Sequence, residues 1–160
     1  MTRGGDGIKL LGVGESSDAY HLTSPDPTGA GAISSMRAAL RGAGLTPDKI
    51  DFINMHGTGT VANDAMESLA INSVFGDKTL CASTKPLTGH TLGAAGAVSV
   101  ALSWLMIKHQ FIIPHIFDGE YGADCAKINL ATKQSRKNIK NVLCNAFAFG
   151  GSNATVIIGR

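Results

Sequence analysis

Residues 8–13 read Ile-Lys-Leu-Leu-Gly-Val, an apolar, β-favouring run that predicts a first strand. Residues 16–29 follow as a loop, punctuated by Pro25 and Pro27. Ile33, Met36 and Leu40 then recur at helical spacing. They predict a helix over residues 29–40 that Gly42 and Gly44 bring to an end. Thr46-Pro47-Asp48 makes a turn, and residues 50–55 form a second strand. Met66, Leu69, Ala70 and Val74 mark the apolar stripe of a helix over residues 63–75, with Asn63 or Asp64 placed to cap its start. Residues 78–82 are a short third strand, and residues 93–108 a helix apolar enough to be wholly buried. The stretch 114–140 is polar and irregular. Residues 141–146 and 153–158 form a closing pair of strands joined across Gly150 and Gly151. Strands that alternate with helices and end in an antiparallel pair describe an α/β domain of three layers, a mixed sheet covered by helices.

Composition narrows the picture. The chain has 160 residues, 44% hydrophobic and 16% charged, enough for one core-forming domain over residues 1–160 and too apolar for a disordered tail. A net charge of +2 and an aromatic fraction of 6% argue against a nucleic-acid binder. Cys81, Cys125 and Cys144 are odd in number and form no C-x-x-C pair, which points to reduced thiols in a reducing, cytoplasmic compartment. Residues 1–8 are polar and glycine-rich, unlike a signal peptide. The uncharged run 92–107 is 16 residues long, short of the roughly 20 needed to span a bilayer, so no membrane span is expected. His56, His90, His109 and His115 lack the spacing of a zinc site, and no metal is expected.

Three clusters carry candidate chemistry. His56-Gly57-Thr58-Gly59-Thr60 follows the second strand directly, and ligand sites of α/β sheets gather at such strand ends. Threonines at i and i+2 of an extended segment point the same way and suit one polar chain. A glycine turn with a satisfied histidine fits the same residues. Ser83-Thr84-Lys85-Pro86-Leu87-Thr88-Gly89-His90 leads into Gly93-Ala94-Ala95-Gly96. A histidine before a helix start is disfavoured as imidazolium, so a neutral His90 can donate Nε2–H to a developing oxyanion. Lys85, between an apolar strand and that helix, is expected to be buried and to need an anionic partner, for which Glu67 is the candidate. A surface lysine and a helix-capping histidine are the structural alternative. Phe147-Ala148-Phe149-Gly150-Gly151-Ser152-Asn153 sets two phenylalanines at a hairpin tip, an arrangement that makes sense if the tip folds over an apolar pocket as an acyl gate.

Together with Asn145-Ala146 before the tip and Asp18-Ala19-Tyr20-His21-Leu22-Thr23-Ser24-Pro25 near the start, these strings resemble the β-ketoacyl-[acyl-carrier-protein] synthases, acyltransferases of fatty acid and polyketide synthesis with a thiolase-like fold. The match runs over nearly all of the chain and corresponds to the C-terminal half of that fold. The resemblance implies that His56 and His90 are the catalytic histidines that hydrogen-bond the thioester oxygen of malonyl-carrier protein as carbon dioxide leaves. It implies that Lys85 and Glu67 organise the site electrostatically, and that Thr58 and Thr60 bind the phosphopantetheine arm, with Thr23 lining the same tunnel. It makes Phe149 the gate, with its backbone N–H in the oxyanion hole. It also implies acyl carrier protein as partner, no metal or organic cofactor, and a homodimer when complete.

The family nucleophile is a cysteine in an N-terminal half, and none of the three cysteines here lies in a matching motif. The chain therefore reads as a C-terminal piece or one half of a split gene, with the nucleophile half absent, inactive alone in condensation and expected to expose apolar helix surface. The alternative is a cysteine-less partner subunit resembling a chain-length factor. A thiolase proper is disfavoured because the Phe149–Ser152 loop carries no thiol. Ala148 stands where glycine is usual before the gate, and Val61 and Asn63 where many relatives have Pro and Gly.

Overall fold

A computed structural model describes residues 7–133, the backbone of 135–136, and residues 138–160. The elements are β1 (Lys9–Ser17), α1 (Ala30–Ala43), β2 (Phe52–Asn54), α2 (Val61–Phe75), β3 (Leu80–Ala82), α3 (Lys85–Thr88), α4 (Ala95–His109), β4 (Phe111–Ile112), β5 (Asn129–Leu130), β6 (Ser135–Arg136), β7 (Asn141–Phe147) and β8 (Ser152–Gly159). Six strands form one sheet in the order β1-β8-β7-β2-β3-β5. β1, β8 and β7 pair antiparallel, whereas β7, β2, β3 and β5 run parallel. The expected mixed sheet is present, with helices on both sides.

Burial on both faces explains why the central strands read as unbroken apolar runs. Alternate residues serve opposite layers. Ile53, Leu143 and Ile157 pack with Met36, Met66 and Ile71 of α1 and α2. Their neighbours Phe52, Val142 and Ile158 pack with Met106 and Ile107 of α4. A polar start of the chain lies mostly outside the described residues.

Several expectations shift. β1 continues to Ser17, into the stretch assigned to a loop. α1 runs one turn past Leu40, because Gly42 stays helical and the reversal comes at Gly44, with φ 64°. α2 starts at Val61 with Thr60 at its N-cap; neither Asn63 nor Asp64 caps it, and Asp64 instead accepts the Gly59 N–H at 3.3 Å. Leu69 falls off the buried stripe at 43% exposure, and Met66, Glu67, Ala70 and Ile71 form it. Two-residue strands such as β5 are too short to leave a periodic signal within residues 114–140.

The helix expected to be buried is the largest correction. The helical run Leu92–His109 spans 18 residues, is by length and composition long and apolar enough to cross a membrane, and is only 28% buried. The 16-residue count thus undershoots its length. Ala95, Ser99, Ser103, Met106 and Ile107 pack on the sheet, where the Asn54 amide donates to the Ser99 carbonyl and the Ser103 hydroxyl, each at 3.1 Å. Ala97, Ala101, Trp104 and Leu105 face outward beside Leu10 and Val13, an apolar face with no cover among the described residues.

α1 lies directly on β1. A Cβ at Gly14 would fall on the Ser35 carbonyl and one at Gly12 on the Ala39 carbonyl, so backbone meets backbone here. Gly14→Ala is expected to cost about 1–3 kcal/mol, as overpacking does, read as a lower urea midpoint. An unchanged midpoint would show that α1 does not press on this strand.

Candidate functional site

Parallel pairing brings the functional loops to one edge. Asn54 is in register with Ala82 on one side and Cys144 on the other, so the segments that follow β2, β3 and β7 leave the sheet side by side. The first carries His56, the second Lys85 and His90, the third Phe149, with Phe147 as the last residue of β7.

His56 is 6% exposed. Its ring meets that of His90 edge-on, with centroids 5.4 Å apart and planes at 84°, and Phe147 walls its other side at 5.8 Å. The turn beneath it is held from both sides. Glu67 Oε1 accepts the His56 N–H at 2.8 Å and Oε2 accepts the Gly57 N–H at 2.7 Å. The Lys85 ammonium donates to the His56 carbonyl. The 56–57 peptide therefore has a carboxylate at its N–H and an ammonium at its C=O. Gly57 has φ 40°, and a Cβ there would meet the Ser83 side chain at 2.5 Å. The Ser83 hydroxyl in turn donates to the Gly57 carbonyl at 2.8 Å.

The tautomers follow from these contacts. Lys85 Nζ, a donor only, lies 3.4 Å from His56 Nδ1. His90 Nδ1 accepts the Leu92 N–H at 3.2 Å, at the start of the helical run. Each neutral ring thus has its acceptor nitrogen engaged and carries its proton on Nε2.

The charges are shaped mainly by burial. It lowers His56 from its ordinary 6.5 to about 3, and Lys85 and His90 add to the shift. Burial also lowers Lys85, against the pull of Glu67 and Asp64. It raises Glu67, against the Gly57 and His56 N–H groups, the Asn145 amide and the Lys85 charge. All the hydrogen-bond partners of that carboxyl are donors, so a protonated Glu67 would find no acceptor among them.

Glu67 is not the direct partner expected for Lys85. The two bracket a peptide instead of touching, because the His56 carbonyl takes the ammonium first. Lys85 is buried as expected, at 9% exposure. The Thr58 and Thr60 hydroxyls lie 2.9 Å apart, brought together across a bend at Gly59, φ 77°, and not by the extended run expected. Thr58, Lys85 and His90 open onto a cavity of about 400 Å³ that His115 and Tyr121 help to close. Thr23 is exposed in the 18–29 loop and does not line that cavity. Its neighbour Leu22 accepts the Gly150 N–H at 2.6 Å, which ties that loop to the hairpin tip. The two tip phenylalanines part company: Phe149 is 78% exposed, whereas Phe147 is buried against His56.

Asn145, His115 and the Ser83 hydroxyl carry roles that the sequence reading missed. Asn145 donates to Glu67 Oε1 at 3.1 Å, and His115 Nδ1 accepts the Ser83 N–H at 3.1 Å. The available signal for Asn145 was an amide in the middle of an apolar strand, which is costly unless bonded. Nothing local distinguished His115.

Residues 8–117 match the family described as "Beta-ketoacyl synthase, C-terminal domain". The chain is 40% identical over 155 residues to 3-oxoacyl-[acyl-carrier-protein] synthase 2 of Coxiella burnetii, covering 95% of this chain and 37% of that protein. It is 40% identical over 153 residues to synthase 1 of Escherichia coli K12, covering 95% and 36%. Among solved structures it resembles a ketosynthase in complex with its chain length factor from Xenorhabdus doucetiae, with a TM-score of 0.94 at 47% identity over 99% of this chain and 40% of that one. A β-ketoacyl synthase from Burkholderia phymatum gives 0.90 at 33% identity, over 96% and 37%. The chain thus spans little more than a third of the curated relatives it matches.

The site also sets an acid limit. Unfolded, His56 takes up a proton below about pH 6.5; folded, it does so only near pH 3. The contribution of the His56 ring to stability is therefore complete above pH 6.5 and is lost as pH falls through that window. The expected result is an unfolding free energy that declines below pH 6.5, with His56 imidazole resonances that stay neutral until the protein is close to pH 3. A His56 ring that titrates near 6.5 in the folded chain would contradict this.

Proposed function

Since the chain belongs to the β-ketoacyl synthase family, as its C-terminal domain, we propose that it supplies the decarboxylating half of a 3-oxoacyl-[acyl-carrier-protein] synthase active site. The observation that carries this reading is the edge-on pair of His56 and His90, each with Nδ1 engaged and a proton on Nε2. One thioester oxygen of a malonyl-carrier protein accepts from both rings. The C–CO₂ bond then breaks, its electron pair moves into the enolate, and the two donors stabilise the oxyanion without giving up their protons. The enolate carbon attacks the acyl thioester carbonyl, and the thiolate leaves.

In this reading Lys85 and Glu67 hold the His56 turn, and burial, with the Lys85 charge added to it, keeps that ring neutral. Thr58 and Thr60 take the phosphopantetheine arm, Thr23 stands farther out along its approach, and Phe149 serves as gate and backbone oxyanion donor. The imidazoles supply the electrophilic help, so no metal or organic cofactor is invoked. The proposed partners are acyl carrier protein, the remainder of the synthase fold over the exposed α4 face, and a second copy in a cytoplasmic homodimer. The nucleophilic cysteine belongs to the part of the relatives that this chain does not span. Burial raises the Cys81 thiol, and raises that of Cys144 to about 12, which suits structural thiols. A non-catalytic partner subunit is the second reading; the intact imidazole pair favours the enzyme.

In the complete protein, His90→Ala is expected to slow malonyl decarboxylation by about 10²-fold or more, the scale for losing one oxyanion donor, while acyl transfer to the cysteine keeps its rate. Equal loss of both half-reactions would make His90 structural. The 160-residue chain alone is expected to gain no mass from a long-chain acyl-carrier protein. A stable acyl adduct would place a nucleophile in this half.

A further inference from the structure

Behind the His56 turn runs a buried polar line of which the proposed chemistry uses only the last member, Glu67. Ser35 of α1, Thr155 of β8, Asn145 of β7 and Glu67 of α2 are each no more than 2% exposed. The Ser35 and Thr155 hydroxyls lie 3.0 Å apart, Thr155 Oγ1 donates to Asn145 Oδ1 at 3.0 Å, and Asn145 Nδ2 donates to Glu67 Oε1 at 3.1 Å. Glu67 then accepts the two N–H groups of the His56 turn. Four elements distant in sequence thus meet in one chain of hydrogen bonds.

The proton order in that chain is determined from Glu67 as far as Thr155. A carboxylate accepts only, so the Asn145 amide must turn its NH₂ toward Glu67 and its oxygen toward Thr155. The single Thr155 proton is then committed to Asn145, and Thr155 Oγ1 can only accept from Ser35. Ser35 has one alternative, the Ala32 carbonyl at 2.9 Å in its own helix. An amide that is fixed at both ends in a low-dielectric interior has one orientation, and so does the carboxylate it holds.

We infer that Asn145, oriented by Thr155 and Ser35, is a positioning residue that fixes the Glu67 carboxylate and through it the aim of the His56 ring. It touches no reacting atom. Its part in catalysis rests on the reading given under Proposed function, whereas its part in holding the turn does not.

The test uses the complete synthase and two measurements. Thr155→Val keeps shape and removes the hydroxyl. It is expected to lower kcat for malonyl decarboxylation about 10-fold, leave KM within about twofold, and spare acyl transfer. It is also expected to speed amide hydrogen exchange of His56 and Gly57 without changing exchange in α4. Thr155→Ser, which restores the hydroxyl, should recover both. Ser35→Ala, at the far end of the line, gives the same pattern in weaker form and serves if the valine variant does not fold. Equal loss of both half-reactions, or unchanged exchange at His56 and Gly57, would overturn the inference. His56→Ala in parallel separates the two ideas. If it leaves decarboxylation intact, the catalytic reading fails and the exchange result alone judges the positioning role.

Discussion

The Glu67 carboxylate accepts both backbone N–H groups of the turn that presents His56, and the functional edge is built around keeping that buried charge satisfied. A carboxylate at 2% exposure is costly on its own. Here two main-chain donors and one amide meet it, and a lysine ammonium sits one peptide away on the carbonyl side. Removing any one of these leaves a desolvated group without a partner, which is a larger loss than the net worth of the bond. The same constraint that stabilises the turn also aims a ring, so folding and chemistry draw on one set of contacts. The arrangement suits a buried charge that is satisfied within the protein, with the His56 and His90 rings edge-on beside it.

The sheet supplies the placement. Four strands run parallel, and three of them deliver their following segments to a common edge. On one face, α1 and α2 seal a core around Met36, Ile53 and Ile71. On the other, α4 covers the sheet with one side and leaves Ala97, Ala101, Trp104 and Leu105 outward. One face of the sheet is thus sealed by helices, whereas the helix on the other face keeps an apolar outer side without cover among the described residues.

Local patterning carried most of the element assignments. The stripe of α1, the apolar runs of β7 and β8 and the glycine-punctuated loops were legible because period and turn chemistry are written in neighbouring residues. Helix ends moved where Gly42 proved compatible with a helix and Thr60 stood at the N-cap position. The apolar character of residues 93–108 showed only that water is disfavoured there. It did not show how much of the surrounding layer this chain contains.

The same division holds at the site. Residue type and spacing alone placed His56 and the paired threonines in a loop at a strand end, Lys85 between a strand and a helix and His90 before a helix start, where a neutral imidazole suits an oxyanion. Only the tertiary structure decided which nitrogen of each ring bears the proton, that Lys85 and Glu67 grip opposite ends of one peptide, and that Asn145 stands behind them. Hydrogen bonds across 78 or 120 residues of chain leave no period in a sequence, because they arise from register and layer packing. Burial, which sets every pKa shift around these histidines, exists only once the layers have closed.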